Sequence, residues 1–173
     1  KNAIKNSFQS SGSTVFVLGA KNKQLGGSMI ADILKIKNND VCRFSNKDYS
    51  ALLNGVFSLG EKNLILSSRV VTRGGLAISL CKMSFHNNVG IDAKIDEEAF
   101  DITLFNENLA IIIEVNNKNV AEAQKILETN NIPFDIIGAT SSKETIIVNN
   151  KVNLSIKEAK NVWDISLREK LLS

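Results

Sequence analysis

Hydrophobic positions along this chain follow two rhythms: short, nearly continuous apolar runs, and runs spaced three and four residues apart. The first rhythm predicts strands. Residues 14–19 carry Val15, Phe16, Val17 and Leu18, residues 64–66 are Leu64, Ile65 and Leu66, and residues 109–115 hold Ile111, Ile112, Ile113 and Val115. Residues 90–95 alternate Ile91, Ala93 and Ile95, the period of a half-buried strand. Residues 134–138 and 145–148 read as two more. The second rhythm predicts helices. Residues 47–59 put Tyr49, Leu52, Leu53 and Val56 on one face, and from Gly75 onward Leu76, Leu80 and Met83 recur at i, i+4 and i+7. Residues 120–127 repeat the pattern with Val120, Ala123, Ile126 and Leu127, and Pro133 closes that unit. A last amphipathic helix starts near Ser155, with Glu158 at capping-box spacing and Trp163 inside it.

Residues 1–13 are polar and punctuated by Ser10, Ser11, Gly12 and Ser13, which predicts a leading linker or short helix. Residues 20–49, with Lys37, Asn38, Asn39 and Asp40, are expected to be largely loop. The second half reads strand, helix, strand, strand, helix. That order predicts an α/β (α+β) fold, a mixed sheet covered by helices and partly ferredoxin-like, as one domain over residues 14–173.

Composition narrows the classes. With 43% hydrophobic and 23% charged residues, the 173-residue chain has the make-up of a globular domain. Its net charge of +3 comes with scattered lysines and 6% aromatics, so no nucleic-acid-binding stripe is expected. No apolar run approaches the roughly 18 residues of a membrane span. Cys42 and Cys81 are too few for a disulfide scaffold and lack metal-ligand spacing, which favours a reducing, cytoplasmic compartment. The first methionine is Met29 and no signal segment precedes it, so the chain is expected to be a fragment of a longer polypeptide.

The chemistry concentrates in two glycine signatures. One is the 14–19 run followed by Leu25, Gly26, Gly27 and Ser28. The other is Thr72, Arg73, Gly74, Gly75, Leu76 and Ala77 at a helix start. Adjacent glycines let backbone come close to a phosphate, and a following helix offers free N–H groups and its positive pole. A tight turn and a close helix–sheet approach are the plain structural alternatives. His86 reads as a solvent-facing residue at a helix end. Asp96, Glu97 and Glu98 read as a solvated turn opening a short helix, Cys81 as a core thiol and Trp163 as a packing anchor. No triad or dyad emerges, so neither a catalytic residue nor a metal ligand is assigned.

In this order the pieces resemble the C-terminal domain of the synthetase component of phosphoribosylformylglycinamidine synthases, in the AIR-synthase-like superfamily. Leu25-Gly26-Gly27-Ser28 is similar to that family's LGGS loop and Gly74-Gly75-Leu76-Ala77 to its SDGGLA turn. Leu104-Phe105-Asn106-Glu107 is similar to its LF-x-E segment, Ile132-Pro133 with Ile137-Gly138 to its gIP…iG step, and Trp163 with residues 167–171 to its terminal helix. The resemblance implies an ATP- and Mg²⁺-using ligase of purine biosynthesis. In that reaction ATP phosphorylates the formylglycinamide oxygen, and ammonia from glutamine displaces phosphate to give the amidine. It also implies two partners, the N-terminal synthetase domains of the same polypeptide and a glutaminase component, with the fragment inactive alone. By the same resemblance Gly26, Gly27, Ser28, Arg69, Arg73, Gly74 and Gly75 are candidate phosphate or nucleotide contacts, and Glu107 a ligand or domain contact.

One departure stands out. Where the family has an acidic HD-x-SD run, this chain has Arg69, Val70, Val71, Thr72 and Arg73. Both carboxylates are gone, so the turn offers arginines suited to phosphate rather than hard oxygen ligands for Mg²⁺. Arg69 with the 72–77 turn is also similar to hydrogenase-maturation dehydratases of the same superfamily. A non-catalytic ligand-sensing or interaction domain is the alternative from a different class.

Overall fold

The computed structural model describes residues 3–19, 23–37 and 40–172, with side chains as far as residue 165. Asn38 and Asn39 of the asparagine-rich stretch, and the side chains of the 167–171 segment, lie outside the described residues. Among the described residues seven strands form one sheet: β1 (Thr14–Leu18), β2 (Ile65–Val70), β3 (Gly90–Ala93), β4 (Ile111–Val115), β5 (Phe134–Ser141), β6 (Thr145–Val148) and β7 (Val152–Ser155). Their spatial order is β2-β4-β1-β5-β3-β6-β7. All neighbours are antiparallel except β3 and β6, so the sheet is mixed, as expected. Helix α5 (Val120–Thr129) carries the chain from β4 to β5, and β1 runs antiparallel between them. That split β-α-β unit is the ferredoxin-like part of the fold.

The remaining helices are α1 (Met29–Leu34), α2 (Asn46–Glu61), α3 (Gly75–Ser84), α4 (Phe100–Phe105) and α6 (Ile156–Leu172). They divide the core in two. On one face of the sheet, Val15, Ile112, Ile137, Ile91 and Ile146 pack with Leu76, Leu80 and Met83 of α3, Leu104 of α4 and Ile156 of α6. On the other, Phe16, Leu18, Ile111, Ile113 and Val115 pack with Leu52 and Leu59 of α2 and Ala123 and Leu127 of α5. Central strand β4 is buried along its whole length because both faces are covered, which is why it reads as a continuous apolar run.

Several expectations change. The leading segment forms no helix over residues 3–13. It runs along the β2 edge, bridges Lys5 to Ser67, and seats Phe8 in the core with no exposed surface. What fixes it there is Glu114, a fully buried carboxylate on β4. It accepts from the Gln9 amide (2.8 Å), the Ser10 amide (3.1 Å) and the Ser67 hydroxyl (2.7 Å). Residues 20–49 are largely loop where described, as expected, but they also hold α1, a helix the spacing does not predict. Helix α2 begins at a reciprocal Ser45–Asp48 capping box. Its buried face is Leu52, Gly55 and Leu59, whereas Tyr49 and Leu53 stay largely exposed. Strand β7 is an additional edge strand, and residues 67–70 extend β2 beyond its apolar start. The Ser155 hydroxyl accepts from the Glu158 amide at 3.4 Å, as its spacing predicts. Trp163 is not a buried anchor. It is 48% exposed, with the Lys82 ammonium 4.0 Å from its ring centre.

Candidate functional site

The two glycine signatures, about forty-five residues apart in sequence, meet in space through one carboxylate. Glu107 Oε1 accepts from the Met29 amide at 2.8 Å and from the Gly74 amide at 2.8 Å. Met29 opens α1 and Gly74 caps α3, so a single oxygen holds the first turns of both helices. Around it several groups pair locally. Ser28, the N-cap of α1, accepts from the Ala31 amide and donates its hydroxyl to Leu25 O at 2.6 Å. The amides of Gly26, Ser28 and Gly75 donate to Asp40 O, Leu25 O and Thr72 O.

Gly75 is required here for a packing reason. Its φ is +67°, and a Cβ would stand 2.7 Å from Asn106 O and 2.8 Å from Leu104 O. The N-terminus of α3 thus lies directly on the backbone at the end of α4, which brings Glu107 within reach of Gly74.

Arg69 is not brought to this cluster. On β2 its guanidinium donates to Asn6 O at 3.3 Å, and burial pulls its pKa below the usual arginine value. It also opposes Lys82, whose ammonium is depressed first by burial and then by the Arg69 charge. Lys82 lies seven residues along α3 from Gly75, roughly 10 Å at helical rise. Arg73 stays with the turn and is exposed.

Beside the cluster, on the α3 face of the sheet, is a cleft of about 360 Å³. Such a volume lies in the range of small-molecule sites. Its floor is apolar, from Val17 of β1, Ile137 of β5 and Ala110 just before β4, with Val71 and Leu76. Its polar lining includes Lys23, Lys94, Asp96, Asp135, Asn106 and Asn108. Asn106 and Asn108 flank Glu107, so the carboxylate that joins the glycine turns also anchors one wall of the cleft.

Sequence reasoning missed Lys94, Asp135, Asn106 and Asn108 as a group, because they come from β3's exit, β5 and the segment after α4. The only local signal was the LF-x-E segment. Asp96, Glu97 and Glu98 are exposed, and the Asp96 carboxylate accepts the Glu98 amide at 3.0 Å, the turn expected of them, although Asp96 also lines the cleft. His86 is exposed just past α3. Cys81 is buried, and desolvation pushes its thiol up to about 11. Among the described residues no cluster of three or more His, Cys, Asp or Glu stands ready for a metal. The 69–73 turn, with two arginines and no carboxylate, does not fit Mg²⁺. No helix among the described residues is long and apolar enough to cross a membrane.

A mixed sheet with helices on both faces and a polar-rimmed cleft beside glycine-cornered helix starts defines an α/β domain with a candidate cleft. The sequence profile of "AIR synthase related protein, C-terminal domain" matches residues 10–149, and the chain belongs to that family. It is 31% identical over 69% of its length to phosphoribosylformylglycinamidine synthase of Schizosaccharomyces pombe, covering 9% of that protein. It is 23% identical over 95% of its length to the phosphoribosylformylglycinamidine synthase subunit PurL of Thermus thermophilus, covering 23% of that protein. The fold superimposes on Thermotoga maritima PurL complexed with FGAR with a TM-score of 0.72 at 10% identity, over 90% of this chain and 29% of that one. The chain therefore spans less than a quarter of the curated relatives described here.

Proposed function

We propose that this domain forms part of the substrate site of an ATP-dependent C–N ligase, a phosphoribosylformylglycinamidine synthase. The observation that carries the reading is the cleft: an apolar floor on the central strands with Lys23 and Lys94 among its polar lining, in a domain of this family. An apolar floor seats an uncharged part of a ligand, while ammonium groups favour phosphate oxygens and amide side chains fix orientation. The reaction joins ammonia to the formylglycinamide carbon, with ATP supplying the phosphoryl group that leaves with the amide oxygen. The N-terminal synthetase domains and a glutaminase component supply the remainder, including whatever holds Mg²⁺, and the enzyme works in the cytoplasm.

Titration of the ¹⁵N-labelled chain with formylglycinamide ribonucleotide, and separately with ATP, tests this. One of the two shifts the amides of Lys94, Asn106, Asn108 and Asp135 saturably, and Lys94→Ala weakens that binding about tenfold, the size of one charge-assisted contact. No movement of these amides at millimolar ligand refutes the cleft. The chain alone, given ATP, the ribonucleotide and ammonia, releases no phosphate. Turnover above the blank refutes its dependence on partner domains.

A further inference from the structure

We infer that Glu107 is a positioning residue, an internal anion that locks the two glycine turns together and is itself what the turns bind. Gly74 has no side chain with which to cap α3, and no side chain of its own segment does so. The cap comes instead from Glu107, 33 residues further on, through the same oxygen that holds the Met29 amide 78 residues back. A carboxylate at helix starts completes orphan donors and complements the positive pole. The amides of Gly26, Ser28 and Gly75 have backbone acceptors of their own. What Gly74 and Gly75 provide is close approach, which gives Glu107 its access. Gly75 lets the end of α4 lie against α3, and Met29 Cε borders the space where a Gly74 Cβ would stand. Because Asn106 and Asn108 line the cleft on either side of Glu107, the lock sets the position of that wall. This bearing on ligand binding rests on the cleft reading above, whereas the lock itself does not, so the two fail separately.

Amide hydrogen exchange in the whole 173-residue chain tests the lock. In Glu107→Ala the Met29 and Gly74 amides exchange faster together, by about tenfold or more, the cost of losing a hydrogen bond to a charged acceptor. Glu107→Gln, which keeps the acceptor oxygen, stays within about threefold of the unaltered chain, a rescue that loss of packing alone does not give. Acceleration at one amide without the other, or at neither, overturns the inference. If Glu107→Ala does not fold, Glu107→Gln and a titration of the unaltered chain decide. Inorganic phosphate and ATP leave the Met29 and Gly74 resonances in place, and a saturable shift of both means that a phosphate displaces the carboxylate and the inference is wrong.

Discussion

Replacing Gly75 with Ala asks for space that three backbone atoms already fill. The new Cβ would stand 2.7 Å from Asn106 O and from Phe105 C, and 2.8 Å from Leu104 O. These atoms close α4 and cannot swing aside as a side-chain tip does. Two costs add. An Ala held at φ +67° is strained by about 1–2 kcal/mol. Forcing α3 away from α4 costs about 1–3 kcal/mol, the range for overpacked sites. The sum is about 3 kcal/mol. Gly12 separates the two terms, since its φ is +83° but nothing lies within 4 Å of its Cβ position. Gly12→Ala therefore carries only the backbone term, about 1 kcal/mol. Urea unfolding followed by far-UV circular dichroism reads the difference. With a slope of about 2 kcal/mol/M, the midpoint falls by about 1.5 M for Gly75→Ala and about 0.5 M for Gly12→Ala, with slopes unchanged. Equal midpoints for the two variants would falsify the close-approach argument.

Two further perturbations follow from buried groups. Glu114→Ala leaves the Gln9 and Ser10 amides and the Ser67 hydroxyl without their acceptor, a loss on the order of 3 kcal/mol in urea unfolding, and releases residues 3–10 to proteolysis. An uncut N-terminal segment in that variant contradicts the clamp. Cys81, raised to about 11 by burial from an ordinary 9.0, links stability to alkaline pH. Between these values the unfolded chain has lost the thiol proton and the folded chain has kept it, so stability present below pH 9 falls as pH rises toward 11. The loss approaches about 3 kcal/mol. It is read as the part of the alkaline decline in stability that Cys81→Ala abolishes, and equal declines in both proteins contradict it.

Much of the sheet and helix pattern was legible because burial on a regular element writes a period into the sequence. Strands β1 and β4 and helix α3 carry it plainly. Elements that lack a fully apolar face were harder to read. Strand β7 is half-exposed at the sheet edge, and the polar end of β2 is held by pairing with β4 and by the Ser67 hydroxyl on Glu114 rather than by an apolar face. The face of α2 was misjudged because Tyr49 and Leu53 flank its buried side, a distinction that composition does not make. The leading segment looked like a linker because its anchor, Glu114, lies more than a hundred residues away and reads locally as one acid in a strand.

The candidate site divides in the same way. By itself the sequence determined the two glycine turns, the place of Gly74-Gly75 at a helix start and the LF-x-E segment, since local backbone requirements restrict residue choice locally. It also determined that the 69–73 turn lacks carboxylates. The helix after Gly26-Gly27-Ser28 it did not announce. Only the tertiary structure decided that Glu107 closes both turns, that Arg69 belongs with Lys82 instead, and that Lys23, Lys94, Asp96 and Asp135 share one cleft. The physical reason is that hydrogen bonds and clefts are relations between segments 33, 78 or more residues apart, and only the folded sheet sets those distances.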